Sequence, residues 1–127
     1  MEFIPGDEVQ VLSNSGVESQ QLLFPENSAS TRVTITTVTV APGAVSPRHR
    51  HEASEQVWVA IAGVGSLLLG QGQTHPFQAG DVVRFAEGDI HGFENTGSMP
   101  FVYFAVTSPP VNFRQAYGQP WTKGAGA

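Results

Sequence analysis

Gly43-Ala44-Val45-Ser46-Pro47-Arg48-His49-Arg50-His51, the turn Glu52-Ala53-Ser54, and then Glu55-Gln56-Val57-Trp58-Val59-Ala60-Ile61-Ala62-Gly63 form the stretch whose reading decides the fold. Val45 to His51 reads as a strand, and alternation along it sends His49 and His51 to one face while Arg48 and Arg50 point to the other. Two imidazoles on one face can chelate a single ion, which needs ring nitrogens converging to about 2.0–2.1 Å from the metal. A bare His-x-His pair is more often a pair of polar surface residues than a metal site, so the weight falls on its surroundings. Gln56 to Ala62 reads as the next strand, and Gly63 with Gly65 closes a hairpin. A third histidine, His91, lies in the run Ile90-His91-Gly92-Phe93-Glu94-Asn95. A strand placing it in the same lumen would complete a three-imidazole site.

Outward from this stretch the chain continues as short β-prone runs divided by glycine-rich turns. Thr31 to Val40 is the clearest strand, with nearly every residue Thr, Val or Ile and with Val33 and Ile35 alternating with threonines. Two short strands are expected within residues 7–24. Gly65 to Gln71, Thr74 to Gln78, Asp81 to Phe85, Ile90 to Asn95 and Pro100 to Thr107 complete a series whose spacing suits a sandwich or barrel. After Ser108-Pro109-Pro110 alternation is lost, and Phe113, Tyr117 and Trp121 are expected to pack over the outside of the barrel. The small, polar residues 122–127 are expected to fray. One domain is expected over residues 1–127, with a core at about residues 30–108, N-terminal strands at 7–24 and an extension at 109–127.

Composition supports an all-β reading and excludes several functions. The 127 residues include 14 Gly and 9 Pro, scattered without period, which breaks any long helix and excludes a collagen-like repeat. Charged residues make up 13 %, about half the roughly 25 % of an average globular domain, so neutral polar side chains must cover much of the surface. A net charge of −5 argues against nucleic acid and against anionic membranes as partners. With no cysteine there is no disulfide, thiolate metal site or cysteine nucleophile. The acidic start Met-Glu-Phe-Ile-Pro-Gly-Asp-Glu lacks the basic and apolar regions of a signal peptide, and no apolar run approaches 18 residues; a soluble, cytoplasmic protein is expected. Four histidines stand out in a chain so poor in charge.

Taken together, two blocks of fixed spacing resemble the signature of the cupin superfamily. The first has Gly43, five residues, His49, one residue, His51, then the Glu55-Gln56 pair, and after six more residues Gly63. The second has Gly80, Ala86, Gly88, His91 and Asn95 at the family's spacings, with Ala86 where the family has Pro. The resemblance covers Gly43 to Asn95 and is similar to small single-domain bacterial cupins. It implies a double-stranded β-helix, a jelly-roll barrel with one divalent metal in its lumen: Fe, Mn, Ni or Zn. Gly63, Gly80 and Gly88 fall at turns, where positive φ is cheap only for glycine.

The fourth ligand position departs from the family pattern. Glu55 and Gln56 are adjacent, and alternation lets only one face the metal. Counting back from Gly63 selects Gln56; counting on from His51 selects Glu55, a phase that would also turn Val57, Val59 and Ile61 inward. The hairpin glycine fixes register better than a loop of variable length and favours His49, His51, Gln56 and His91 as the ligand set. A neutral set leaves a divalent ion its full charge and favours anionic ligands, whereas Glu55 would halve it. Trp58, Phe101 and Tyr103 are candidate lumen residues. His75 is expected to be an exposed strand residue, Arg48 and Arg50 to lie outside the lumen, and Asn95 to hold a strand end.

Function is not fixed by fold. The resemblance implies a metal-dependent enzyme on a small polar organic molecule, with oxygen-dependent cleavage of an enediol or diketone-like substrate ranked first. Redox-neutral isomerisation or lysis of a sugar acid, and a non-catalytic metal- or ligand-binding module, are the alternatives. A homodimer is expected from the resemblance, through the N-terminal strand or a Thr31 to Val40 edge.

Overall fold

The computed structural model describes residues 1–121, so the expectation for residues 122–127 lies outside the described residues. The strands are β1 (Gln10–Asn14), β2 (Val17–Leu23), β3 (Thr34–Val40), β4 (Val45–His49), β5 (Glu55–Ala62), β6 (Val64–Leu69), β7 (Thr74–Gln78), β8 (Val82–Phe85), β9 (His91–Glu94) and β10 (Phe101–Ser108), followed by one helical turn, α1 (Arg114–Tyr117). They form two antiparallel sheets, one of six strands in the order β1-β2-β3-β10-β5-β8 and one of four in the order β4-β9-β6-β7. The sheets face each other as the expected all-β double-stranded β-helix. Among the described residues no helix is long and apolar enough to cross a membrane.

Burial alternates strictly on the central strands, buried at every second residue of β3 and β10. On β3 the buried phase is Thr34, Thr36, Val38 and Val40, which turns Ile35 outward. Two threonines thus occupy interior positions, and Thr34 is satisfied there: its Oγ1 accepts from the Val111 N–H and donates to the Val111 carbonyl, both at 3.1 Å. The expected edge at Thr31 to Val40 is corrected by the pairing. β3 lies between β2 and β10, and the free edges of its sheet are β1 and β8.

One end of the interior is packed with Phe77, Phe93 and Phe101, whose ring centroids lie 4.2–6.3 Å apart. Gly63, at the β5–β6 turn, is required here: its φ is +97°, and a Cβ would sit 3.0 Å from the Phe101 backbone. This packing fixes the turn from which the register of β5 is counted.

Candidate metal centre

Three histidines converge at the other end of the barrel. β4 is shorter than expected and ends at His49, with His51 in the segment beyond; its pairing with β9 is regular at Ser46↔Phe93, then shifts, and resumes at His49↔His91. Such a bulge bends a strand and re-aims the side chain that follows. Here it sets His49 directly across from His91. Gly92 makes room for it, because a Cβ at that position would lie 2.7 Å from the Ser46 carbonyl oxygen and 2.9 Å from the Arg48 nitrogen. His51 completes the group, with centroid separations of 5.1 Å to His49, 5.2 Å to His91 and 4.4 Å between His49 and His91. One ring nitrogen from each lies within 4.8 Å of the others.

Hydrogen bonds set the tautomers. His49 Nδ1 is 2.8 Å from the Pro47 carbonyl and His91 Nδ1 is 2.9 Å from the Asp89 carbonyl. A carbonyl only accepts, so each Nδ1 carries the proton and each Nε2 keeps its lone pair. The Nε2 atoms of His51 and His91 are buried without a hydrogen-bond partner. Burial holds all three rings neutral. It lowers His49, against the pull of the Pro47 carbonyl. Burial and then His49 lower His51 to about 4, and burial followed by His49 lowers His91 to about 3. Neutral imidazoles with orphaned, inward-facing lone pairs are what a divalent ion of intermediate softness requires, so the donor set fits one.

β5 presents Gln56, Trp58 and Ala60 inward, all buried. Gln56 Nε2 donates to Thr107 Oγ1 at 2.7 Å, and its Oε1 accepts from Trp58 Nε1 at 2.8 Å, leaving that carbonyl oxygen a second lone pair. Glu55 lies in the opposite phase and accepts from Arg84 Nε at 2.7 Å on the outer face. Apolarity misleads here, because the more apolar phase of β5 is the outer one: Val57 and Val59 are part-exposed and Ile61 is exposed.

The imidazoles of His49 and His51 open into a cavity of about 70 Å³ whose lining also includes Gln56, Trp58 and Tyr103; His91 touches both histidines but does not line it. Trp58 stacks on Tyr103 at 4.2 Å. Phe101 is not part of this lining and belongs to the phenylalanine cluster at the far end. His75 is exposed on β7, Arg48 donates to the Leu69 carbonyl at 2.7 Å, and Arg50 pairs with Glu52 at 3.0 Å. Asn95 donates to the carbonyls of Val40 and Met99, both at 2.9 Å, and holds the end of β9.

The cavity also holds residues that strand patterns did not reveal. Ser19, Thr36 and Ser46 contribute hydroxyls, and Phe113, Ala116, Tyr117 and Trp121 cross the mouth rather than the outer wall. Phe113 meets His51 at 5.7 Å and Trp121 meets Tyr117 at 4.9 Å. The crossing segment is pinned from β1 by Asn14, whose side-chain amide donates to the Tyr117 carbonyl at 3.0 Å, and by Arg114 to Glu26 at 2.7 Å. The sequence signal was the four-residue spacing of Phe113, Tyr117 and Trp121, which reads as one face of a helical turn. Among the described residues no Asp, Glu, Lys or Arg lines the cavity. Burial raises Tyr103 well above its ordinary value and Tyr117 to about 12, the latter against a hydrogen bond with Ser19, so both phenols are protonated donors at neutral pH.

Comparison with known proteins agrees with this geometry. The family model described as Cupin domain matches residues 36–107. An oxalate-binding protein of Thermotoga maritima is 29 % identical over 90 residues, covering 71 % of this chain and 74 % of that protein. The crystal structure of a predicted oxalate decarboxylase from Thermotoga maritima superposes with a TM-score of 0.70 at 25 % identity, over 84 % of this chain and 98 % of the other. A conserved Klebsiella pneumoniae protein with a double-stranded β-helix domain has a TM-score of 0.72 at 24 % identity, over 87 % and 91 % of the two chains, and speaks to the fold alone.

Proposed function

The chain belongs to the cupin domain family, and from that premise we propose that it captures a small chelating oxygen ligand at a divalent ion held by His49, His51, His91 and Gln56, and that its reaction is oxygen-dependent cleavage of an enediol or diketone. The observation that carries this reading is the pair of buried, unpartnered Nε2 atoms on His51 and His91 beside a cavity that, among the described residues, has no charged side chain in its lining. Fe, Mn, Ni and Zn all suit such a donor set. When bound, the ion supplies Lewis-acid polarisation and, if redox-active, one-electron chemistry.

The protein's own side chains account for the rest. Three imidazoles and an amide contribute no charge, so an anionic or enolic ligand is drawn by the undiminished charge of the ion. Trp58 and Thr107 orient the Gln56 amide through hydrogen bonds of 2.8 and 2.7 Å. Tyr103 and Tyr117 offer protonated hydroxyls to the ligand's outer oxygens, and Phe113 and Trp121 keep water from the mouth. A volume of about 70 Å³ suits a compact ligand, since a cavity of about 150 Å³ admits benzene. With no carboxylate or lysine among the described residues of the lining, a proton-shuttling isomerase or lyase on a sugar acid is the weaker reading.

A second reading, non-catalytic capture of a small dicarboxylate, draws support from the name of the oxalate-binding relative. Loading the protein separately with each of the four metals and measuring oxygen uptake with a simple diketone or enediol, alongside calorimetry with oxalate, separates the two. Oxygen uptake matching substrate loss with a redox-active metal supports cleavage. Oxalate binding with no uptake on any substrate transfers the site to capture, and failure to retain any metal overturns both.

A further inference from the structure

Arg50 stands in sequence between His49 and His51, and its guanidinium is far less engaged than those of its counterparts. Arg48 donates to the carbonyls of Leu69 and Gln73 at 2.7 and 3.3 Å, Arg84 to Glu55 at 2.7 Å and Arg114 to Glu26 at 2.7 Å. Those three hold the fold together. Arg50 makes an ion pair with Glu52 through Nε at 3.0 Å, with side chains 56 % and 78 % exposed, and among the described residues neither of its Nη groups donates a hydrogen bond. So exposed a pair contributes little and exchanges readily for another anion.

Arg50 lines a groove of about 440 Å³ beside the segment 113–121. The linings of this groove and of the inner cavity share His49, His51, Phe113, Ala116 and Trp121, so these side chains are the partition between the two spaces. The inner space, about 70 Å³, holds the chelating end of a ligand, and the groove is the space beyond the partition for whatever that end carries. Its chemistry is different. Where the described lining of the cavity has no Asp, Glu, Lys or Arg, that of the groove has one such side chain, Arg50. In a chain of net charge −5, this cation meets no carboxylate among the described residues of the groove wall. Its place is also fixed relative to the ion, because its Cα is one residue, about 3.8 Å, from that of each neighbouring histidine.

We infer that Arg50 forms a second subsite, which takes a carboxylate carried on a short arm of the same ligand whose oxygens chelate the ion. The inference rests on the ion-held chelate proposed above and narrows its substrate class to a diketone or enediol whose arm ends in a carboxylate. A planar guanidinium matches the two oxygens of a carboxylate with parallel N–H···O bonds, and its single charge balances a single charge. The second charge of a phosphate monoester would find no other cation among the described residues of the groove. Glu52, displaced from Arg50, returns to water.

Calorimetry on the full chain loaded with zinc, which is redox-silent and reads binding alone, tests this with two matched pairs of probes. Succinylacetone and butyrylacetone share a diketone head and differ only in carboxylate against methyl at the end of the arm. Succinic monohydroxamate and butyrohydroxamate differ in the same way on a head that chelates divalent ions whether or not diketones are substrates. In at least one pair the acid should bind wild type about tenfold more tightly than its methyl counterpart. Arg50→Gln should abolish that preference while metal content and affinity for the methyl compounds stay at wild-type values, and Arg50→Lys should restore part of it. A preference confined to the hydroxamates upholds the subsite and counts against the diketone reading, whereas both diketones binding equally, with no preference in the hydroxamates, upholds that reading and overturns the subsite. Absence of preference in both pairs, or a preference that survives Arg50→Gln, overturns the subsite. So does loss of metal from Arg50→Gln, which would make Arg50 a support for its neighbouring histidines.

Discussion

Strand β9 carries His91 and Phe93 two residues apart on the same face, and each belongs to a cluster of three rings at opposite ends of the barrel. Phe77, Phe93 and Phe101 lie 4.2–6.3 Å apart; His49, His51 and His91 lie 4.4–5.2 Å apart. The spacings are alike and the chemistry is opposite. Phenyl rings satisfy one another by contact, so their cluster is finished when the chain folds. The imidazoles are left with buried lone pairs that no protein group answers, so theirs is finished only by a ligand. Stability and chemistry are thereby separated along one strand.

Substitutions at either end should break that separation in different currencies. Phe93→Ala should have the largest effect on stability, about 3–5 kcal/mol by urea unfolding, with metal stoichiometry unchanged in the folded protein. Gln56→Leu strands Trp58 Nε1 and Thr107 Oγ1. It should cost about 1–3 kcal/mol and weaken metal binding as well, read by unfolding and by competition with a chelator. Acid should act on the imidazole end of the metal-free protein. His51 and His91 titrate near 4 and 3 when folded, against about 6.5 in an unfolded chain, so the unfolded state binds more protons over that interval. Stability should therefore be level above about pH 7 and fall as pH drops from about 6.5 towards 3. Replacing both residues with alanine should flatten the slope between about pH 6 and 5, where ordinary carboxylates scarcely titrate. Glu55→Gln should do least: its partner Arg84 is on the outer face, so metal content and unfolding midpoint should both stay at wild-type values. A large loss of metal in that variant would reverse the assignment of inner and outer phase on β5.

The strands and turns were legible because their signals are local. Thr74 to Gln78 matches its strand end for end, and Gly63, Gly80 and Gly88 adopt φ of 97°, 96° and 81° at the expected turns. Of the imidazole trio, alternation made His49 and His51 legible as a pair, whereas His91, which joins them through the β4–β9 pairing, was legible only through the family resemblance. Other features needed long-range information. That β3 sits inside its sheet depends on pairing with β10, far along the chain. The segment from Phe113 to Trp121 crosses the mouth because Asn14, 103 residues from Tyr117, pins it. Thr34 and Thr36 lie inside and Ile35 outside because the site end of the barrel is polar and the outer face apolar, the reverse of the pattern from which burial is read.

The central claim is that the imidazole end is completed by one ion. Elemental analysis of protein purified without added metal, run in parallel on wild type and His91→Ala, tests it most directly. The account predicts about one divalent ion per wild-type chain, drawn from Fe, Mn, Ni and Zn, and none in the variant at an unchanged circular dichroism spectrum. Equal occupancy in both proteins would contradict it.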